Sequence, residues 1–566
     1  MKQPAQDQAD AFLADPFLAE THEVENVGTE LEDFDLWHAD RALVEAVARE
    51  GAAAAEDDLA RFGLLAGSAD HLELGDLANR NPPVLDTHDR FGRRIDRVRY
   101  HDAWHTLMRS SLTEGLHAAP WREPGPGAHV ARAAKYLMQA QVEAGHGCPV
   151  TMTFASIPTL EIEPTLRERF RDKVLATDYD PRDLPPDQKT ALTVGMGMTE
   201  KQGGSDVRRN STGARPLGNG GPGQLYELVG HKWFLSAPMC DLFLMLAQAP
   251  GGLSCFLVPR WLDDGTRNPL QLVRLKDKMG NRSNASSEIE LRGAHGWLVG
   301  EEGRGVASII QMVSLTRFDC MIGSSAQMRM AISQAIHHCN EREAFGARLV
   351  DQPLMRNVLA DMALEYEGAV ALTLRMARAL DRREDDPGEA LLFRLGAALG
   401  KYWICKRVPA LSYEAMECIG GSGVMENCRM PRIYREAVIN PIWEGSGNVQ
   451  SLDLLRAMQR TPEAVDAFHE ETSRARGGNA HLDRHLDDLH ADLADPEEME
   501  FRARDLTGRM ALAMQAALLV KHAPAAVSEA FCASRLAGNG GHHFGQLPRG
   551  TDTATILRRA DPDVVE

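Results

Sequence analysis

The side chain with the clearest capacity for chemistry is Glu444, which lies in the glycine-rich segment 441–448 directly before a predicted helix. A carboxylate beside an aromatic ring, here Trp443, can act as a general base when burial raises its pKa. A carboxylate in this position also commonly caps the helix or complements the charge of its first turn. The local sequence leaves both interpretations open.

Two further segments have the composition of a binding site for a flat, polar ring. Residues 195–206 combine closely spaced glycines with Thr199 and Ser205, so their backbone N–H groups can approach a heteroaromatic or a phosphate. Residues 230–236 form a turn into a strand whose aromatic side chains can cover a ring. The alternatives are a polar turn and an ordinary core strand.

A third glycine-rich segment, 417–424, contains Gly420, Gly421 and Gly423. Three glycines in four residues permit close approach of the backbone to a pyrophosphate. The spacing differs from the G-x-G-x-x-G fingerprint, and the segment follows a predicted helix rather than a strand. The sequence therefore gives no support to a nicotinamide-binding Rossmann site.

The spacing of apolar residues predicts an α+β protein in which helical regions flank a β region. Short apolar runs bounded by Gly, Pro, Asn and Asp begin after Thr193, and long helical periodicity returns after Gly305. Within the first helical region, the arginine-rich stretch 90–99 predicts a solvated face with acidic partners or a short ribbon. The predicted regions are an acidic extension over 1–35, an α-helical domain over 36–193, a β domain over 194–305, a helical bundle over 306–460 and a helical appendix over 461–566.

Composition excludes several classes of protein. The 62 Lys and Arg against 81 Asp and Glu give a net charge of −19, which disfavours a generic nucleic-acid coat protein. The nine cysteines are never spaced as C-x-x-C, which predicts buried free thiols in a reducing compartment and no metal site. The apolar run 510–520 is too short to span a bilayer, and the N-terminus lacks the pattern of a signal peptide. We therefore expect a cytoplasmic protein that does not enter the membrane.

Taken together, the glycine-rich segments and Glu444 resemble the acyl-CoA dehydrogenase family. The match depends on the spacing of Met-Thr-Glu-x-x-x-Gly-Ser-Asp at 198–206 and Gly-Gly-x-Gly at 420–423. Segments 195–206, 276–286 and 443–448 are similar to a bacterial branch of the family that belongs to the response to DNA alkylation. The resemblance covers roughly residue 35 to beyond 520. It implies an N-terminal helical domain, a middle β domain, a C-terminal four-helix bundle and an extra C-terminal helical region.

The resemblance also implies FAD as the cofactor. Its isoalloxazine would lie in a cleft between the β domain and the bundle, and the segment after Pro441 would complete the site. The matching cofactor residues are Met196, Met198, Thr199, Gly204, Ser205, Phe234, Leu235, Ser236, Ile442, Gly445, Ser446, Asn448 and Leu452.

In the family, a neighbouring subunit contributes an arginine and a phenylalanine to the dinucleotide half of FAD. Arg342 and Phe345 match those roles, and Gly420, Gly421 and Gly423 match the accompanying loop. Glu417 stands where the family usually has glutamine. The resemblance implies a dimer at least, and a homotetramer formed by two dimers.

By the same resemblance, Glu444 matches the family's catalytic base, in a substrate pocket formed with Trp443, Thr316 and Arg456. Some members place the base at the position of Thr316, which cannot serve as one, so Glu444 is the base candidate. Arg456 either makes the pocket cationic or forms an ion pair with Asp453, three residues earlier on the helix. A polar pocket would disfavour a long fatty acyl chain.

Two functions follow as hypotheses. The first is an FAD-dependent dehydrogenase for a short or branched acyl-CoA, in which Glu444 takes an α-proton and hydride passes to flavin N5. The second is a DNA-binding flavoprotein with little turnover, which would protect double-stranded DNA during alkylation damage. Residues 451–566 carry thirteen Lys and Arg against nineteen Asp and Glu, so DNA binding requires their cations to converge on one face. The candidate cations are Arg502, Arg504, Arg509, Lys521, Arg535, Arg549, Arg558 and Arg559.

Overall fold

A computed structural model describes residues 22–538 and 543–564 of the chain. The first 21 residues of the predicted acidic extension lie outside the described residues. From Asp40 onwards the N-terminal region is mainly helical, and several of its helices begin at side-chain caps, such as Asp40 and Ser68. The helices of this region are α1 Arg41–Arg49, α2 Glu56–Ala66, α3 Ala69–Arg80, α4 Asp102–Thr113, α5 Ala119–Arg122, α6 Ala128–Val142, α7 Gly147–Leu160 and α8 Pro164–Val174.

The arginine-rich stretch departs from the helical pattern of this region. Strands β1 Val84–His88 and β2 Arg94–Arg99 form an antiparallel hairpin. Asp86 on β1 accepts hydrogen bonds from two arginines of β2, Arg97 and Arg99. The ribbon and the acidic partners are therefore both present, because opposite charges face each other across the two strands.

The β region is a seven-stranded sheet whose strands close into a ring, because β6 pairs with both β7 and β4. Strands β3 and β8 are attached at its edges, and β3 packs against helix α7 of the N-terminal region. The strands are β3 Val194–Gly197, β4 Gly213–Pro216, β5 Leu225–Leu235, β6 Leu242–Ala249, β7 Gly252–Pro259, β8 Leu270–Leu275 and β9 Ser287–Val299. Alternate side chains such as Tyr226, Phe243 and Phe256 fill the ring.

Three long helices dominate the C-terminal half, namely α9 Gly305–Glu341, α10 Pro353–Arg382 and α11 Pro387–Ile419. They pack against one another, and α11 also packs against the short helix α12 Met430–Ala437 and against α13 Gly447–Arg460. A small hairpin of β10 Glu343–Ala344 and β11 Ala347–Arg348 joins α9 to α10. This is the predicted four-helix bundle, and it shares one continuous apolar core with the N-terminal helices.

Within the described residues, α9 has the length and hydropathy that a membrane span requires, but 72% of its most apolar window is buried inside the fold. Such burial is typical of a bundle core helix. The C-terminal appendix is also helical, and its longest helix packs on α10 and α11. Its helices are α14 Glu463–Ser473, α15 Ala480–Ala494, α16 Met499–His522, α17 Ala525–Arg535 and α18 Thr553–Ala560.

Both ends of the described chain meet at the C-terminal end of α9. The His337 ring contacts Thr29 Oγ1 through Nε2 at 3.1 Å and Asp563 Oδ1 through Nδ1 at 2.9 Å. Asn340 also donates to Asp563, at 3.0 Å. These contacts fix the N-terminal segment and the end of α18 beside the β10–β11 hairpin.

Candidate active site

Glu444 lies in the turn before α13 and faces the first half of α9. Its Oε2 accepts a hydrogen bond from Thr316 Oγ1 at 2.7 Å, and its backbone carbonyl accepts one from Arg317 Nε at 3.1 Å. Its φ of 56° is in the left-handed region, which non-glycine residues seldom adopt. A strained backbone held by partners on another helix is typical of a functional position.

The environment of Glu444 favours the neutral carboxylic acid more than water does. Burial raises the pKa of Glu444, and the Thr316 hydroxyl and the positive charges of Arg317 and Lys401 oppose that shift without cancelling it. A carboxylate with a raised pKa is a stronger base than one in water, so the site is suited to accept a proton near neutrality.

Lys401, a buried residue of α11, holds the turn that contains Glu444. It is 1% exposed, and its Nζ donates to the carbonyls of Trp443 at 2.8 Å and Gly445 at 2.6 Å, on either side of Glu444. Gly445 has a φ of 99°, and a Cβ there would lie 2.7 Å from Gln450 Nε2. Glycine and the lysine together therefore determine where the Glu444 carboxylate points.

The carboxylate opens on a cavity of about 50 Å³ between α6, α7 and α9. Thr316, Cys320, Trp443 and Cys148 line the part of the wall beside it. The indole of Trp443 is fixed by a hydrogen bond from Nε1 to Asn440 Oδ1 at 2.9 Å. Two predicted pocket residues, Trp443 and Thr316, thus lie with Glu444 on one cavity.

Edge strand β3 and the end of β5 meet near α7, one of the helices that line this cavity. Met196 N donates to Ser236 Oγ at 2.9 Å, and Ser236 N donates to the Met196 carbonyl at 3.0 Å. A register shift between Lys232 and Leu235 on β5 leaves Phe234 44% exposed at the surface. Leu235 is fully buried in the β core, so it can meet a cofactor only through its backbone.

The loop after β3 remains open to solvent. Gly204 and Ser205 are exposed, Met198 and Thr199 are half-buried, and Thr199 accepts a hydrogen bond from Trp233 N at 2.8 Å. A Cβ on Gly204 would lie 3.1 Å from Thr199 Cγ2, so glycine permits the tight turn. Residues 196–205 and 234–236 are therefore adjacent, joined by the bonds between Met196 and Ser236.

A buried ion pair supports this surface and was missed in the sequence. Lys232 Nζ donates to Glu200 Oε1 at 2.7 Å, and both side chains are fully buried. Burial alone would raise the pKa of Glu200, but Lys232 and hydrogen bonds from Ser211 and Thr212 lower it to about 2. A lysine between apolar and aromatic residues in a strand is the signal that could have revealed it.

The residues predicted to contact the dinucleotide half of FAD are largely open to solvent, and some of them are exposed apolar side chains. A Cβ on Gly420 or Gly421 would meet nothing within 4 Å, whereas Gly423 packs against the Met416 carbonyl. Ile442 is 68% exposed, and Phe345, at the tip of the hairpin, is 100% exposed. Exposed backbone and exposed apolar side chains at these positions leave room for contacts with a dinucleotide.

The other predicted cofactor residues lie around the start of α13. Ser446 is the residue before the helix, Gly445 and Leu452 are half-buried, and Asn448 is exposed. Arg342 donates to the carbonyl of Asn26. The open backbone and the exposed polar groups of these residues fit FAD.

Arg456 is not where the sequence predicted. It is exposed, and it is not among the residues that line the cavity. Asp453, its alternative partner, instead accepts from Arg317 at 2.7 Å and from Arg394 at 2.9 Å. The cations near Glu444 are thus Arg317 and Lys401, because these project from buried faces of α9 and α11 whereas Arg456 projects to solvent.

The cations proposed for DNA binding also do not form one face of unpaired positive charges. Arg509 pairs with Asp492, Arg535 with Asp361 and Glu365, and Arg559 with Glu45 and Glu367. Arg502 donates to the carbonyls of Asp495 and Glu497 in the segment before its helix, and Arg504 Nε contacts the Tyr402 hydroxyl at 3.4 Å. Exposed positions remain at Arg504, Lys521, Arg549 and Arg558. Internal carboxylates neutralise the others, which is the physical reason that they cannot be counted toward phosphate binding.

Among residues 22–538 and 543–564, no group of three or more His, Cys, Asp or Glu side chains is placed to hold a metal ion. The nine cysteines are free, and all but Cys428 are buried, as the sequence predicted.

Comparison with known proteins follows the same three regions. Residues 26–181 match the family described as adaptive response protein AidB N-terminal domain. Residues 195–294 match the acyl-CoA dehydrogenase middle domain, and residues 303–459 match the acyl-CoA dehydrogenase C-terminal domain.

Two relatives extend the similarity over most of the chain. The chain is 48% identical to "Putative acyl-CoA dehydrogenase AidB" of Escherichia coli, over 92% of this chain and 96% of the relative. It is 32% identical to acyl-CoA dehydrogenase family member 11 of Caenorhabditis elegans, over 76% of this chain and 71% of that protein.

Solved structures agree with these matches. The C. elegans protein ACDH-11, crystallised with C11-CoA, has a TM-score of 0.82 at 26% identity and covers 96% of this chain and 94% of its own. An acyl-CoA dehydrogenase complexed with FAD from Bacillus anthracis shares the fold, with a TM-score of 0.60 at 18% identity over 77% of this chain and 78% of that one. The chain therefore belongs to the acyl-CoA dehydrogenase family, in the branch that contains AidB.

Proposed function

We propose that the protein is an FAD-dependent oxidoreductase of the acyl-CoA dehydrogenase type, which oxidises a CH–CH bond next to a thioester with Glu444 as the base. FAD supplies the hydride acceptor when it is bound. The observation that supports this most strongly is the Glu444 carboxylate, directed by Thr316 onto a small cavity between the N-terminal helices and the bundle.

The chain's own groups have distinct tasks in this proposal. Glu444 takes the proton from the carbon next to the thioester carbonyl, and the cavity keeps water away from the carboxylate. Thr316 Oγ1 orients the carboxylate, while Lys401 and Arg317 hold the backbone of its turn. Positive charge from these two cations also stabilises Glu444 in its ionised form before it reacts.

The cavity favours a substrate of small bulk. Its volume of about 50 Å³ accommodates a narrow acyl group, which agrees with a short or branched acyl-CoA. Anaerobic titration of the flavin-loaded protein with butyryl-CoA and isovaleryl-CoA tests the proposal. Loss of the flavin absorbance band is expected with at least one of the two, and an unchanged band with both contradicts it.

We also propose a cytoplasmic homotetramer of two dimers. The fully exposed Phe345 and the open backbone at Gly420 and Gly421 support a subunit contact at the dinucleotide half of the cofactor. Eight buried free thiols among nine cysteines suit a reducing compartment.

The alternative function, protection of double-stranded DNA, has less support. Arg509, Arg535 and Arg559 are held in ion pairs within the chain. An electrophoretic shift that falls steeply with salt would favour the DNA hypothesis, whereas no shift at low salt would remove it.

The rate of flavin reduction should depend on pH through Glu444. The base acts only when it is ionised, and burial raises its pKa, so the rate should fall as pH decreases through a midpoint above that of an ordinary glutamate. Stopped-flow reduction at a series of pH values measures the midpoint. In Thr316→Val the midpoint should move upward, because the hydroxyl lowers the pKa of Glu444; a downward or absent shift contradicts the assignment.

Replacement of Lys401 by methionine should displace the Glu444 turn. Two hydrogen bonds from a charged donor are lost, and the rate of flavin reduction should fall by about 10- to 100-fold. The fall should appear at saturating substrate and in samples matched for FAD content, because Lys401 acts through the Trp443 and Gly445 carbonyls rather than on a ligand. Lys521→Met, which removes an exposed charge, serves as the control; equal rates in both variants would exclude a positioning role.

A further inference from the structure

The cavity beside Glu444 extends along one face of α9. Thr316, Cys320, Gly323 and Gln327 all line it, at the steps of three and four residues that place side chains on one face of a helix. Thr316 contacts the Glu444 carboxylate, so Gln327 lies near the opposite end. The two α-carbons are separated by about 16 Å along the helix axis.

The end of the cavity near Gln327 contains two hydrogen-bond acceptors that receive no hydrogen bond. Oε1 of Gln327 and Oδ1 of Asn281 are buried and have no hydrogen-bond partner within the described part of the chain. The two residues are 4% and 2% exposed, respectively, and both line the cavity. Buried carbonyl oxygens without partners are costly, so their persistence at one end of a cavity indicates a ligand group that donates to them.

Glu436 on α12 fixes the orientation of the Asn281 side chain. The Asn281 backbone N–H donates to Glu436 Oε2 at 2.7 Å, and its Nδ2 donates to the same carboxylate. Glu436 lines a smaller adjoining cavity together with Gln327 and Glu143, so the Asn281 amide belongs to the Gln327 end. The donating side of the amide is therefore used, and its oxygen remains available.

The neighbouring polar groups do not supply the missing donors. Glu143 accepts from Ser283 Oγ, from Gly145 N and from His146 N, each at 2.8 Å. Burial opposes ionisation of Glu143, but its bonds and its contact with His146 prevail and lower its pKa to about 2. Nε2 of His146 contacts Ser111 Oγ at 3.0 Å. These groups bond to one another, so neither Glu143 nor His146 supplies a donor to the unpaired oxygens of Gln327 and Asn281.

We propose that the preferred substrate carries a hydroxyl group at the end of its acyl chain remote from the thioester, where its one O–H donates to the Gln327 oxygen, with the Asn281 oxygen as the second acceptor of a three-centre bond. This inference rests on the proposed oxidation of an acyl-CoA by the same site. The thioester end lies at Glu444, and the chain follows the face of α9. A plain methyl end leaves both acceptors unpaired, and such a mismatch selects against the methyl analogue.

Paired substrates test this inference. CoA thioesters of unbranched acids from four to eight carbons are compared with the same acids carrying a terminal hydroxyl. For the best-fitting length, the hydroxylated substrate is expected to have a kcat/KM about 10- to 100-fold higher than its plain counterpart. Helical side chains tilt toward the N-terminus of the helix, so the Gln327 amide lies closer to Glu444 than the α-carbon separation. The series of chain lengths covers this difference.

Variants on α9 identify the group responsible. Gln327→Leu should reduce the hydroxyl preference by about tenfold or more, because the acceptor of the hydroxyl group is lost. Gln334→Leu, the same change at a half-buried position two turns on, should keep the preference. Thermal unfolding and FAD content check that both variants fold, and Gln327→Leu should lose no stability because it removes an unpaired buried amide.

The outcomes separate the two proposals. If neither series reduces the flavin, the proposed dehydrogenase function is wrong. If plain and hydroxylated substrates of every length react equally, the function stands and the hydroxyl inference is overturned, which would indicate that water occupies the acceptors. A preference that survives in Gln327→Leu also overturns it.

Discussion

Replacement of Glu444 by glutamine is expected to abolish reduction of the flavin by acyl-CoA while leaving FAD bound. Glutamine keeps the shape of the side chain and can still accept from Thr316, but it cannot take a proton at a rate that matters. Because general-base catalysis contributes about 10²- to 10⁴-fold, the rate of flavin reduction should fall by at least that range. Anaerobic stopped-flow spectroscopy at the flavin band measures it directly.

The control for this variant is Glu463→Gln, the same change at an exposed position on α14. It should reduce flavin at the rate of the unmodified protein. Full activity in Glu444→Gln would remove the carboxylate from the mechanism, and loss of FAD from Glu444→Gln would show instead that the turn serves cofactor binding.

Replacement of Lys232 by methionine should cause the largest loss of stability. The change leaves Glu200 as an isolated charge in a fully buried position, and breaking such a pair costs about 3–5 kcal/mol. The acceptor of a second hydrogen bond, the carbonyl of Leu246 at 2.6 Å, also loses its donor. Urea unfolding should show a lower midpoint, and FAD content should fall because Glu200 anchors the loop that continues to Ser205.

Two companion variants make this result specific. Lys201→Met, at the exposed neighbour of Glu200, should unfold like the unmodified protein. Combining Lys232→Met with Glu200→Gln should recover part of the loss, since no buried charge then lacks a partner. Suppose instead that the double variant is less stable than Lys232→Met by as much as Glu200→Gln alone destabilises the protein. The two side chains then contribute independently, and the ion pair is not the source of the stability.

The architecture was predictable because it depends on local periodicity. Apolar steps of three and four residues marked the helices of the bundle, and turn residues delimited the strands. The place of Thr316 beside Glu444, 128 positions later in the chain, followed only from the family resemblance. Neither periodicity nor composition carries information about such a distant contact.

The supporting cations were harder to find. Lys401 and Arg317 occur in helical patterns where a charge is usually solvated, and nothing local shows that they reach the carbonyls around Glu444. Arg456 failed as a prediction for the converse reason, because adjacency on α13 did not reveal which face is buried. Counting arginines in the appendix failed similarly, since Arg535 and Arg559 find their carboxylates on α10.

The contact of His337 with both Thr29 and Asp563 makes the end of α9 a position where labels can report on both ends of the described chain. Fluorophores attached near these two positions would lie within efficient energy-transfer distance in the folded chain. They would also flank Phe345, so docking of another copy there would change their emission. One labelled preparation would thereby register local opening of either terminus and association of subunits in the same trace.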